Sequence, residues 1–358
     1  MKGLLLAGGH GTRLRPLTFR GNKHMLPIAN RPLLFYGLDH LKEAGVSEVA
    51  IILGPIKEDI EEQIGDGSRF GVKVRYITQG DPKGLAHAVL CARDFLGDDD
   101  FLMYLGDNLL EHGAAPYLKR FARGDASAVV GAVKVRDPRH YGVVELDGDG
   151  NILSIEEKPT APKSHLALIG VYLFTPEIHA VIERQKPSKR GELEITDAIW
   201  ALQERTHRVR AIQLEGWWKD TGQPSDLIEA NERVLASRAA EFFQVKGEID
   251  PHANVSGHVG LGEGGGIAAG ATVRGPVILG KNVRIEAGAY IGPYTSVGDG
   301  SVIRRAEVDR SILMEHVTID VPFRIVDSIV GRGTTISERT HLPKGHSFIL
   351  GDSSQVVL

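Results

Sequence analysis

Hydrophobic residues follow two rhythms along this chain. Up to residue 232, short apolar runs of strand length alternate with stretches whose apolar residues recur every three or four positions. The runs at 4–7, 49–53, 72–77 and 101–105 predict buried strands, and 128–135, 141–146, 152–157, 168–174 and 209–214 predict further ones. Helices are predicted between them. Pro32 opens one through Leu33, Leu34, Tyr36, Leu38 and Leu41 that Gly45 stops. Others are read at 57–64, at 88–95, from Pro176, and at 198–204 with Thr196 and Asp197 as entry residues. Asp147-Gly148-Asp149-Gly150 is a hairpin signal. Strands alternating with helices predict an α/β domain, a mostly parallel sheet with helices on both faces.

The second rhythm has a period of six. A helical pattern at 229–243 leads into it, and fourteen of the 54 residues from Gly247 to Gly300 are glycine, well above the usual share of about 7%. Apolar residues then recur as Ile267, Val273, Leu279, Ile285, Ile291, Val297 and Ile303. A second phase runs Leu313, Ile319, Ile325 and a third Val330, Ile336, Leu342. Hexads of this kind predict a parallel β-helix, a rod in which each coil stacks its apolar corner on the next. The organisation is therefore read as a first domain at 1–232, a connecting helix at 233–246, and a rod at 247–358 whose last segments, 347–350 and 355–358, fold back as a cap.

Composition excludes some classes of function. The net charge is −4 and charged residues make up 25%, so no nucleic-acid partner is expected. The apolar runs are too short to span a membrane, and Met1-Lys2 leads straight into a strand without a signal-peptide pattern. The single cysteine, Cys91, rules out an internal disulfide, is read as a core residue of a helix, and fits a reducing cytoplasm. The 14 histidines show no zinc-type spacing.

Candidate chemistry gathers at predicted strand ends. Leu6-Ala7-Gly8-Gly9-His10-Gly11-Thr12-Arg13 runs from a strand into glycines and then cations, with Arg15 and Lys23 following, which makes an anion cradle. It is not a Walker A loop, because no Lys-Ser or Lys-Thr follows the glycines. Nor is it a dinucleotide fingerprint, because Leu14 stands where the third glycine belongs. Gln79 leaves a strand end before Gly84, and its amide offers the donor and acceptor that suit a thymine or uracil imide edge. Asp107 ends a buried strand where a carboxylate could hold Mg²⁺ or merely cap a turn. Tyr141-Gly142 brings a ring and a bare backbone together, fitting a sugar hydroxyl. Glu156-Glu157-Lys158-Pro159 sets acid beside base, with Pro159 bending the chain so that both reach one pocket. Arg190 and Glu192 lie on a predicted loop, and Trp218 and Asp220 follow a strand.

L-A-G-G-x-G-T-R-L-x-P-L-T, followed by K-x-[LM]-L-P, resembles the signature of the sugar-1-phosphate nucleotidyltransferases, most of all the long form of glucose-1-phosphate thymidylyltransferase. The resemblance covers nearly all of the chain, and R-G-E-L-E-I-T-D at 190–197 favours the thymidylyl branch. It implies a Rossmann-like sheet followed by a left-handed parallel β-helix. It further implies transfer of a nucleotidyl group from dTTP, or from UTP, to glucose-1-phosphate with Mg²⁺ on Asp107 and Asp220. Arg13, Lys23 and Lys158 are implied as further catalytic residues. Leu6, Ala7, Gly8, Gly9, Gly11, Thr12, Arg13, Gln79, Gly84 and Asp107 are implied on the nucleotide. Asn108, Tyr141, Gly142, Glu157, Lys158, Val171, Arg190, Glu192 and Trp218 are implied on the sugar phosphate. His24 departs from the pattern, which usually carries Gln there. The rod is expected to serve homo-oligomer contact or regulation. In some relatives a rod histidine acts in acetyl transfer, but among His316, His341 and His346 no spacing singles one out.

Overall fold

The computed structural model describes residues 1–19, 21–237, 242–338 and 353–356. Two compact units divide the chain. The first comprises residues 1–10, 20–25 and 33–220, and the second 11–19, 26–32 and 221–358.

The first unit is built on a nine-stranded mixed sheet. Strand Lys2–Ala7 lies between Glu48–Leu53 and Phe101–Leu105, parallel to both, and Lys73–Thr78 extends the row in parallel beyond Glu48–Leu53. These strands are joined through helices such as Leu33–Glu43 and Glu58–Ile64, as parallel neighbours require. Around the long strand Leu166–Phe174 the pairing is antiparallel, to Phe101–Leu105, Ala128–Lys134 and Gly142–Leu146, while Val209–Gln213 lies parallel to Ala128–Lys134. Ile152–Glu157 closes that edge through the expected hairpin, where Asp147 Oδ1 accepts the amides of Asp149 and Asn151. The strand runs read as continuously apolar because both sheet faces are covered. Leu4, Leu5, Val49, Ile51, Phe101 and Tyr104 are fully buried.

Two helix boundaries differ from expectation. Thr196 and Asp197 enter a helix as expected, but it starts earlier, at Ile195, and runs to Thr206, with Glu194 before it in extended conformation. The helix expected at 229–243 is described over Pro224–Ser237.

In the second unit, the hexad region forms three parallel sheets whose strands stack coil upon coil. Ile267 pairs with Ile285 and Ile285 with Ile303, one coil being eighteen residues, and all three side chains are buried. This is the architecture of a left-handed parallel β-helix. The breaks in phase are coils of different length: Ile303 pairs with Ile319, sixteen residues on. Val308, which a strict period of six skips, fills the row between Ile291 and Ile325. Leu342 and the expected cap segment at 347–350 lie outside the described residues, as do His341 and His346.

Candidate active site

The glycine turn, Lys23 and Asp107 come together at the carboxyl ends of the parallel strands in the first unit. Gly8 and Gly9 follow strand Lys2–Ala7, and the Lys23 side chain lies over Gly9, where an added Cβ would stand 2.8 Å from Lys23 Cε. The Lys23 ammonium forms an ion pair with the Asp107 carboxylate, which follows the neighbouring strand Phe101–Leu105. Burial opposes ionisation of Asp107, but the Lys23 charge beside it, with hydrogen bonds from Lys23 and Asn108, holds its carboxyl far below the usual range. Asn108 Nδ2 donates to Asp107 Oδ1 at 2.9 Å.

The turn that presents Lys23 is supported from beneath. Asn22 donates to the carbonyls of Ala7 and Ile56, and its Oδ1 accepts the His24 amide. His24 is buried, with Nδ1 2.7 Å from Asn22 Oδ1. Burial first, then the Lys23 charge, push its pKa down to about 3, so it is neutral. The residue that departs from the family pattern is thus an uncharged prop below the cradle. Neither Asn22 nor the packing role of His24 was legible in the motif, because both depend on where the turn folds back.

Asp220 reaches the same region along a second path. Strand Trp218–Asp220 pairs antiparallel with Asn108–Leu110, and Asp220 stands opposite Asn108, the neighbour of Asp107. Among the described residues no group of three or more His, Cys, Asp or Glu side chains could hold a metal ion. Asp107, directly before strand Asn108–Leu110, and Asp220, opposite Asn108 on the paired strand, are by donor type the pair of carboxylates that Mg²⁺ takes from a protein when substrate phosphates and water supply the rest.

The nucleobase candidates sit beside Gly8. A Cβ on Gly8 would stand 3.1 Å from Gln79 Oε1, and Gln79 Nε2 donates to the Gly84 carbonyl at 3.1 Å. Gly84 has φ 101°, and a side chain there would run into the Leu193 carbonyl at 2.4 Å. Leu193 also donates to the Lys83 carbonyl and accepts from the Ala86 amide, tying the 79–86 loop to the 190–197 segment. Cys91, expected in the core, is half-buried, with its sulfur 3.8 Å from His87 Nε2.

A separate charged cluster carries the sugar-phosphate candidates. Glu157 ends its strand, and Lys158 then takes a left-handed backbone, φ 43°, rare for a side chain of its kind. Both side chains reach one side of the strand end: Lys158 Nζ lies 3.8 Å from Glu157 Oε1. Glu157 also accepts from Thr196 Oγ1 at 3.1 Å and from Arg190 at 3.4 Å. Arg190 bridges onward to Glu192 and Glu194. Burial and the nearby Glu194 charge raise the Glu157 pKa against the pull of Lys158, Thr196 and Arg190. A Cβ on Gly142 would meet Thr196 Cγ2 at 2.5 Å and Glu157 Oε2 at 3.2 Å, so only a bare backbone fits beside this carboxylate. Tyr141 meets Trp218 edge to face at 5.7 Å, and Trp218 Nε1 donates to Asn108 Oδ1 at 2.6 Å, joining this cluster to the Asp107 strand end. In the sequence Glu194 and Thr196 read only as parts of a motif and a helix start. The one usable signal was their place in R-G-E-L-E-I-T-D.

The remaining candidates lie in the core or in the second unit. Val171 is fully buried in the core, and Leu6 and Ala7 are buried as well, which leaves them only backbone groups to offer. Gly11, Thr12 and Arg13 belong to the second unit. There Gly11 has φ 62°, its carbonyl accepts Thr18 Oγ1 at 2.8 Å, and the Arg13 guanidinium lies over Gly222. A cavity of about 250 Å³ between helices Glu177–Ile182 and Ile195–Thr206 is lined by Val181, Arg184, Asp197 and Arg205 and contains none of the candidate residues.

Residues 2–237 match the family model described as nucleotidyl transferase. The chain belongs to the nucleotidyl transferase family. Residues 273–357 match a second model, described as the GMPPB C-terminal domain. A low-salt glycan biosynthesis nucleotidyltransferase of Haloferax volcanii is 45% identical over the full length of both chains. A glucose-1-phosphate thymidylyltransferase of Streptomyces antibioticus is 43% identical over 99% of each. Among solved structures, a UDP-glucose pyrophosphorylase complexed with UDP-glucose superimposes with a TM-score of 0.59 at 30% identity, over 66% of this chain and 99% of that one. No helix of the described residues is long and apolar enough to cross a membrane.

Proposed function

We propose that this nucleotidyltransferase joins dTTP to α-D-glucose-1-phosphate, releasing pyrophosphate and forming dTDP-glucose. The observation that carries the reading is the Lys23–Asp107 pair over the Gly9 turn, with the Asp220 strand paired alongside. The Streptomyces relative, similar over nearly the whole chain, supplies the substrate class.

The attacking phosphate oxygen of a sugar phosphate is already ionised at neutral pH, so the task is to bring two anions into line and neutralise charge. Amides of the glycine turn at Gly8 and Gly9 hold the triphosphate. Lys158 holds the attacking phosphate, and Glu157, beside the bare backbone of Gly142, accepts sugar hydroxyls. Lys23 supplies positive charge where it builds up on the transferring phosphorus. Mg²⁺ held by Asp107 and Asp220 would offset charge on the same phosphates. Gln79 faces the base, and its amide suits thymine and uracil alike.

Pyrophosphate release is the direct test. The purified protein with Mg²⁺ and glucose-1-phosphate is expected to turn over dTTP at least about tenfold better, in kcat/KM, than UTP, a discrimination of the size one methyl contact supplies. Preference for UTP would replace the thymidylyl reading by a uridylyl one. No release with either nucleotide would end the proposal.

A further inference from the structure

The segment that follows Lys23 is anchored to the rod. Pro27–Ile28 and Arg31–Pro32 form a tight hairpin in which Ile28 pairs with Arg31. Its corner residues, Ala29 and Asn30, have φ 49° and 59°. Two successive left-handed residues are what a two-residue hairpin needs, and alanine resists that conformation. Both corner residues are held from one coil of the rod and the helix packed on it. The Ala29 amide donates to Asn231 Oδ1 at 2.8 Å, and Asn30 Nδ2 donates to the Val297 carbonyl at 2.7 Å.

Asn231 is the hub. It lies on helix Pro224–Ser237 and is 1% exposed. Its Oδ1 also accepts from Ser296 Oγ at 2.7 Å, and its Nδ2 donates to the Tyr294 carbonyl at 2.9 Å. One buried amide thus joins three segments remote in sequence: the hairpin corner, the helix and the rod coil at 294–297. A fully buried amide is tolerated because both ends of it are hydrogen-bonded, and its bonds are directional where an apolar residue's contacts are not. Leu26, which enters the hairpin, follows directly on the Lys23–Met25 turn.

We propose that Asn231 is a positioning residue: by fixing the hairpin corner to the rod it sets, through the continuous chain, where the Lys23 turn comes to rest. This inference rests on Lys23 acting in nucleotidyl transfer.

Two variants of the full-length protein test it. Asn231→Leu removes all three bonds at similar volume. Asn30→Gly keeps the left-handed corner, which glycine adopts freely, and removes only the bond to Val297. Asn231→Leu is expected to lower kcat at least about tenfold with KM for both substrates within about threefold, and Asn30→Gly to lower kcat about threefold, as misplacement of a transition-state group does. Amide hydrogen exchange over 22–32 is expected to speed up at least about tenfold in both variants, with 48–53 unchanged. The exchange measurement needs no substrate, so its outcome is independent of which nucleotide and sugar the site takes. Unchanged exchange over 22–32, or faster exchange with kcat within twofold of the parent, overturns the inference. If Asn231→Leu does not fold, Asn30→Gly decides by the same two readings.

Discussion

The rod and the strand-end clusters handle charge in opposite ways. In the rod the interior is a stack of Ile, Val and Leu, and the charged residues stand outside, paired from coil to coil. Arg304 reaches Glu286, Arg310 reaches Asp327, and Arg332 reaches Glu315, each between about a third and two thirds exposed. At the strand ends of the sheet, Lys23, Asp107, Glu157 and Glu194 are largely withdrawn from water, Lys23 paired with Asp107 and both glutamates with Arg190. Desolvating such groups costs several kcal/mol per ion before pairing offsets it. A fold that needed only stability would not place them there. The comparison teaches that the rod's apolar packing and the burial of charge at the strand ends fall to different parts of this chain.

Four measurements would break or sharpen that contrast, from the largest expected effect to the smallest. Asp107→Asn is expected to lower turnover at saturating substrate by at least about a thousandfold, roughly 4 kcal/mol of barrier, with the far-UV circular dichroism unchanged. Near-normal turnover would remove the carboxylate from the mechanism. Ile303→Ala, at the centre of the apolar stack, is expected to cost about 2–5 kcal/mol, read as a lower midpoint of chemical unfolding. A cost under 0.5 kcal/mol, on the order of a surface change, would mean that the stack does not carry the rod's stability.

The third concerns pH. The folded-state pKa of His24 lies at about 3, below its ordinary value of 6.5. A lowered histidine pKa favours the neutral form, so the contribution is complete above pH 6.5 and is lost as pH falls toward 3. Between pH 7.5 and 5 this amounts to about 2 kcal/mol. His24→Gln should remove that part of the acid sensitivity, and equal slopes for parent and variant would show that the ring is not buried as described. The smallest effect is Arg304→Ala. Loss of one exposed inter-coil pair is expected to shift stability by less than about 1 kcal/mol, and a larger loss would mean that the surface ladder acts as a network.

The rod was the most legible part because its evidence is repeated. Each hexad places one apolar residue where its neighbours one coil away also place one, so local spacing and long-range packing carry the same message. The phase breaks hid Val308, because a coil can shorten from eighteen residues to sixteen without losing its corners. In the sheet, apolar runs located the strands, while the antiparallel pairing came from how Leu166–Phe174 inserts among its neighbours. At the site, the motifs named Lys23, Asp107, Glu157 and Lys158. Glu194, Thr196 and Asn22 escaped because their value lies in partners distant along the chain.

From the sequence alone came the residue types the chemistry needs, the strand runs and the stacked hexads, since each is written in neighbouring positions. Only the folded chain decided that Lys158 turns back beside Glu157, that His24 is a neutral prop, that residues 11–19 and 26–32 pack with the rod's unit, and that Asn231 ties one of those segments down. These outcomes depend on burial and on hydrogen bonds between remote segments, which exist only once the chain has closed on itself.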